Sequence, residues 1–141
     1  MKKTLYLIFI TFILSTFIFA DPTDGCDLPE NIIYVTATGD VLYNIPDDIS
    51  GLQWTVDGTT VSGGSGGTAG AAGYVIQAAG TTFLGFSFTA SVISDDCGTL
   101  VNMTLADYSS LTGLSDIVIA NTAGESTPVT YYEGGGDDCA S

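Results

Sequence analysis

The sequence predicts an all-β domain, a sandwich or barrel of about nine short strands. Short runs rich in Val, Ile, Thr, Tyr and Phe recur between Gly, Asp and Asn punctuation. No long stretch repeats with the 3.6-residue period of an amphipathic helix. The interval from Cys26 to Tyr132, about 110 residues, is enough to bury one real core. Many short strands at this spacing are the signature of two packed sheets or a closed one.

The first twenty residues read as a secretory signal. Lys2 and Lys3 precede an apolar stretch from Leu5 to Phe19 broken only by Thr and Ser, and Ala20 supplies the small residue before Asp21 and Pro22. At about fifteen residues the stretch falls short of the roughly twenty that span a bilayer as a helix. Cleavage there defines a domain over 21–132 and a tail over 133–141, exported to the extracellular space or cell surface.

Strands are expected at Ile32 to Ala37, Val41 to Ile45, Leu52 to Val56, Thr59 to Ser62, Tyr74 to Ala78, Thr81 to Thr89, Leu100 to Leu105, Asp116 to Ala120 and Val129 to Tyr132. Between Leu52 and Val56 apolar and polar residues alternate, which points Leu52, Trp54 and Val56 at the core. Asp57-Gly58 then reads as a hairpin turn. The same alternation sends Val101, Met103 and Leu105 inward, with Asn102 and Thr104 outward. Phe83 to Phe88 is apolar in both phases, as befits a strand with neighbours on both sides. Leu84, Phe86 and Phe88 share one phase, and Phe86 and Phe88 are expected in the core. Gly85 within this run marks a bulge or a close backbone approach. Ser62 to Gly73 consists entirely of Gly, Ser, Thr and Ala and reads as a long loop within one domain, since the flanking stretches are too small for separate cores. Glu133 to Ser141 has no apolar residue of any size to anchor it and reads as an acidic tail.

Charge excludes more chemistry than any motif suggests. The net charge is −14, and the only two cations, Lys2 and Lys3, fall within the signal. The rest of the chain has no Lys, Arg or His to neutralise phosphate, which argues against nucleic acid and anionic lipid surfaces as partners. Catalysis likewise lacks a His base, a Lys for a Schiff base and an Arg fork, so a non-enzyme is expected. Carboxylates, hydroxyls, amides and aromatics remain, a palette suited to calcium, glycan or protein surfaces.

Export implies an oxidising compartment, so the three cysteines are disulfide candidates before metal ligands. Cys26 and Cys97 are the favoured pair, closing a loop of roughly 70 residues worth about 4 kcal/mol on the chain-entropy argument. Cys139 is then unpaired or intermolecular.

The span from Ile49 to Tyr132 resembles the cohesin-type β-sandwich, and more closely the cohesin-like and carbohydrate-binding-module-like modules of secreted marine microbial and viral proteins. The residues that carry the likeness are Ile49 to Gly58, Ala71 to Val75, Phe83 to Phe88, Cys97 to Leu100 and Leu114 to Val118, with Cys26 to Asn31 as the opening. The resemblance implies a jelly-roll sandwich that binds a protein module through one sheet face and performs no catalysis. It also implies that a Gly/Asp/Cys tail leads into cysteine-rich repeats, which would give Cys139 a partner.

Candidate sites follow from the same palette. Asp47, Asp48, Asp95 and Asp96 sit in predicted turns and are the candidate oxygen ligands for a calcium ion, though no loop has EF-hand spacing. Paired carboxylates also serve glycoside hydrolysis, but turn positions favour Asp for local hydrogen bonding instead. Trp54, the sole Trp, suits sugar stacking, yet its phase assigns it to the core. Tyr131 and Tyr132 point to opposite faces, which leaves one exposed. Asn102-Met103-Thr104 is a glycosylation sequon with Asn102 facing outward. The expected function is therefore a secreted interaction module recognising an extracellular protein, with carbohydrate binding and a surface-layer or filament subunit as alternatives. Copies this acidic repel one another, so self-association would require salt or divalent ions.

Overall fold

Alternation dictates the architecture: β-branched and aromatic residues at every second position need a second apolar surface to cover them, and two sheets cover each other. In the computed structural model, which describes residues 21–132, the strands are β1 (Ile32–Val35), β2 (Asp40–Asn44), β3 (Ile49–Asp57), β4 (Val61–Ser65), β5 (Val75–Ala79), β6 (Thr82–Phe86), β7 (Cys97–Leu105), β8 (Gly113–Asn121), β9 (Ser126–Thr127) and β10 (Thr130–Tyr131), with one short helix, α1 (Gly67–Ala71). The expected signal over 1–20 and the tail over 133–141, Cys139 included, lie outside the described residues. The first sheet has the order β10-β1-β2-β7-β4 and the second β5-β6-β3-β8-β9. The chain passes repeatedly from one sheet to the other, the jelly-roll way of building a sandwich. Each of the nine expected strands has a counterpart, and Ser126–Thr127 adds a tenth. Pairing is antiparallel except between β1 and β10.

The core lies where β3 and β6 of the second sheet meet β7 of the first. Trp54 stacks flat on Phe83, its neighbour in register on β6, with ring centroids 4.8 Å apart. The Trp54 Nε1–H donates across the sandwich to Met103 Sδ at 3.4 Å. Leu52, Trp54, Val56, Val101, Met103 and Leu105 are all buried, as their alternation requires. Two phenols complete the interior: Tyr43 donates to the Asp95 carbonyl at 2.8 Å and Tyr74 to the Ile49 carbonyl at 2.7 Å.

Burial pushes both phenols above their ordinary value, and for Tyr43 the nearby Asp95 and Asp96 act in the same direction. A raised folded-state value means stability is intact below the unfolded-state value of about 10 and is lost as pH rises through the folded-state value. Thermal midpoints should therefore fall steeply above about pH 10, and Tyr74→Phe should blunt that fall. A flat profile from pH 9 to 12 would contradict the assignment.

Three expectations are corrected. Asp57-Gly58 does not close a hairpin, because β3 and β4 belong to different sheets. It turns the chain from one sheet to the other, with Gly58 at φ +94°. A Cβ on Gly58 would overlap the Ser110 carbonyl, so that close approach, rather than hairpin twist, explains the glycine. Second, Ser62 to Gly73 is not a plain loop. It supplies most of β4, paired with β7, and then α1. Small residues are needed because β4 and α1 run close to their neighbours: a Cβ on Gly64 would press on the Phe83 ring at 2.9 Å, and one on Gly67 would overlap the Leu100 carbonyl.

The third correction concerns β6. Phe83, not Phe86 or Phe88, fills the core: Phe83 is fully buried, Phe86 is only partly buried, and Phe88 is 81% exposed. A run apolar in both phases cannot reveal its own phase, and here pairing with Trp54 decides it. The strand also ends at Phe86, so alternation does not extend to Phe88. Gly85 is a close approach rather than a bulge, since its register with β3 is unbroken and a Cβ there would meet Leu52 Cδ1 at 2.8 Å.

Candidate functional site

The two sheets differ in what covers their outer faces. On the first, the segment before β1 lies against β2 and β7. The Asp24 carboxylate caps a single 3-10 turn over Gly25–Asp27 by accepting the Cys26 N–H at 2.9 Å, and Asn44 Nδ2 donates to the Leu28 carbonyl at 2.7 Å. A Cβ on Gly25 would overlap the Tyr43 and Gly98 carbonyls, so this segment sits directly on the backbone beneath. The Cys26–Cys97 disulfide, expected from the sequence, joins it to the start of β7 with Cα atoms 4.9 Å apart. Leu28 and the outward-facing Leu42 are buried as a result.

The second sheet presents a different outer face. Register places Val75, Phe86, Gly51 and Ala120 in one cross-strand row, and Gln77, Leu84, Gln53 and Val118 in the next. Neither row contains a charge. Between them a shallow groove of about 210 Å³ is lined by Gly51, Gln53, Leu84, Phe86, Val118 and Ala120. Gly51 has no positive φ, and a Cβ there would make only ordinary contacts, at 3.8 Å from Ala120 Cβ. The backbone does not demand glycine at this position; its absence of side chain is what leaves the groove open.

Phe88 stands beside the groove, edge-on to Phe86 with ring centroids 5.0 Å apart. A hydroxyl network holds the loop that carries it. Ser87 Oγ accepts the Thr89 N–H at 3.1 Å and the Ser91 N–H at 3.0 Å, while the Thr89 hydroxyl bridges those of Ser87 and Ser91. A large apolar side chain held in solvent by an ordered loop is a costly arrangement for a monomer to keep without a use.

The remaining candidate residues are dispersed. The Ile45 N–H donates to the Asp96 carbonyl, and Ile49 bridges Ile93, which brings the turns of Asp47, Asp48, Asp95 and Asp96 to the same end of the sandwich. Their carboxylates nevertheless do not gather: among the described residues no three His, Cys, Asp or Glu side chains converge to hold a metal. Asp47 instead accepts from Thr127 Oγ1 at 3.1 Å. The expected calcium ligand set is thus not assembled among the described residues. Asn102 faces outward as expected, with Nδ2 donating to Asp40 Oδ1 at 2.8 Å and the Thr38 carbonyl at 3.1 Å. Neither Tyr131 nor Tyr132 is fully exposed: Tyr131 packs on the core and accepts the Val35 N–H at 3.3 Å, and Tyr132 lies edge-on to Tyr34.

Sequence reasoning missed this groove because it assigned Phe86 and Phe88 to the interior. The signal was present as the doubly apolar run from Phe83 to Phe88, in which one phase had to face outward. Comparison with known protein families, with curated proteins and with solved structures finds no match to this chain.

Proposed function

We propose that this chain is a secreted, non-catalytic interaction module that docks a protein partner on the outer face of its second sheet. The observation that carries this reading is the uncharged apolar face itself. In a chain with net charge −14, two adjacent rows across four strands hold no carboxylate, and a groove and a solvent-exposed Phe88 lie together there. Apolar anchors set in a groove, with polar surface around them, are what concentrate binding energy at protein interfaces. The cohesin resemblance supports the same reading, since it implies docking through one sheet face. Secretion is supported by the signal-like N-terminus and is compatible with the disulfide.

Crosslinking tests the reading. A benzoylphenylalanine placed at position 118 on the second sheet should form a covalent adduct with a defined protein from the extracellular fraction of producing cells, and one at position 104 on the first sheet should not. Gly51→Leu, which fills the groove without a backbone conflict, should abolish the adduct while the melting temperature stays unchanged. Equal crosslinking from both positions, or retention on insoluble polysaccharide that survives Gly51→Leu, would contradict it.

A further inference from the structure

The charges that lie beyond the groove's two rows, at either end of β8, specify what its partner carries. Resting on the docking face proposed above, we infer that the partner is a folded segment with an apolar stripe flanked at both ends by Lys or Arg, about 17 Å apart, the length of five strand residues at roughly 3.3 Å each.

β8 borders one side of the groove, with Val118 and Ala120 facing outward, and continues beyond both of its rows. At one end Asp116 lies on the same face, within reach of the outward Thr55 hydroxyl at 3.4 Å. At the other end the chain turns at Asn121, whose N–H donates to the Glu125 carbonyl, and Ser126 pairs with Ala120. Asp47 and Asp48 precede Ile49, which pairs with Asn121 at this same end. All four residues are exposed, Asp47 with its carboxylate accepting from Thr127 Oγ1. An apolar centre thus lies between acidic ends, in a chain that has no Lys, Arg or His after Lys3.

That composition makes the charge argument one-sided. Nothing in the domain can neutralise these carboxylates, so a partner that covers the groove must either bring cations to both ends or place its own polar groups against uncompensated charge. An acidic or neutral occupant, including a second copy of this chain, is disfavoured at low salt for the same reason. The partner's backbone mode is constrained as well. β6 and β3 have strands on both sides, and β9 pairs β8 only at Ile119 and Ala120, so a segment lying over the groove itself binds through side chains rather than by joining the sheet there. A helix meets the requirement with cations about eleven residues apart, at 1.5 Å rise per residue.

The test uses two synthetic amphipathic helices that share one Leu/Ala stripe, one bearing Lys and the other Glu at positions eleven apart. Binding to the full chain is followed by calorimetry at 20 mM salt. The Lys peptide should bind at least tenfold more tightly than the Glu peptide, and 0.5 M NaCl should shrink the difference. In the double variant Asp116→Lys with Glu125→Lys, which leaves Asp47 and Asp48 in place, the preference should disappear. Leu84→Asp, checked by Val118→Asp, should abolish binding of both peptides. If both peptides bind the native chain equally and Leu84→Asp still abolishes binding, the docking face stands and the cationic partner is overturned. If the Lys peptide binds but neither Leu84→Asp nor Val118→Asp weakens it, both readings fall. Absence of binding by either peptide at 1 mM also overturns the inference.

Discussion

Trp54→Ala is expected to destabilise the domain by about 3–5 kcal/mol, the range for truncating a fully buried aromatic. The residue has no exposed surface. Three separate losses follow from its removal. The stacked partner Phe83 loses one face of its contacts, Met103 Sδ loses the indole N–H, and a cavity opens between the two sheets. Because Gly64 lies against the far edge of the Phe83 ring, β4 has no side chain there that could move in to fill the gap. Against a typical total of 5–15 kcal/mol, the variant should be marginally folded at 25 °C. Urea unfolding should show a lower midpoint with an unchanged slope. Trp54→Phe, which keeps the stack, should cost markedly less. In the native protein, iodide should leave Trp54 fluorescence nearly unquenched, and strong quenching would contradict its place in the core.

Removing the disulfide by the double substitution Cys26→Ala with Cys97→Ala should cost about 4 kcal/mol, from the loop entropy released to the unfolded chain. The sequence separation is 71 residues. The double variant avoids a lone reactive thiol and should fall short of the oxidised native chain in every unfolding assay. A local effect should accompany the global one. Amides of Asp24 to Leu28 should exchange faster, because the disulfide ties their segment to β7 and few other bonds hold it. Oxidised and substituted proteins with equal urea midpoints would show that packing and the Asn44–Leu28 hydrogen bond hold the segment without the disulfide.

Where the fold was legible, one residue pattern admitted one physical solution. Leu52, Trp54 and Val56 alternate cleanly with polar neighbours, so their burial could be read directly, and the same holds for Val101, Met103 and Leu105. The Cys26–Cys97 pair was readable from compartment and position. Legibility failed where a residue's role depends on distant neighbours. Gly64 and Gly67 are small because Phe83 and Leu100 lie against them, and no local signal separates that from a flexible linker. Asp57-Gly58 carries hairpin chemistry but is used to cross between sheets. The groove was hidden for the same reason: only the register Trp54 with Phe83 decides which half of an apolar run becomes core and which becomes surface.

The central claim is that the outer face of the second sheet is covered in use while the first is not. Hydroxyl-radical footprinting of the purified chain, with and without the extracellular proteins of producing cells, measures this on the native molecule. The account predicts strong protection of Leu84, Phe86 and Phe88, with Tyr108 on the turn between β7 and β8 labelled equally in both samples. Unchanged labelling of Phe86 and Phe88, alongside protection of Tyr108 or of Tyr34 and Tyr132, would place the contact elsewhere and contradict it.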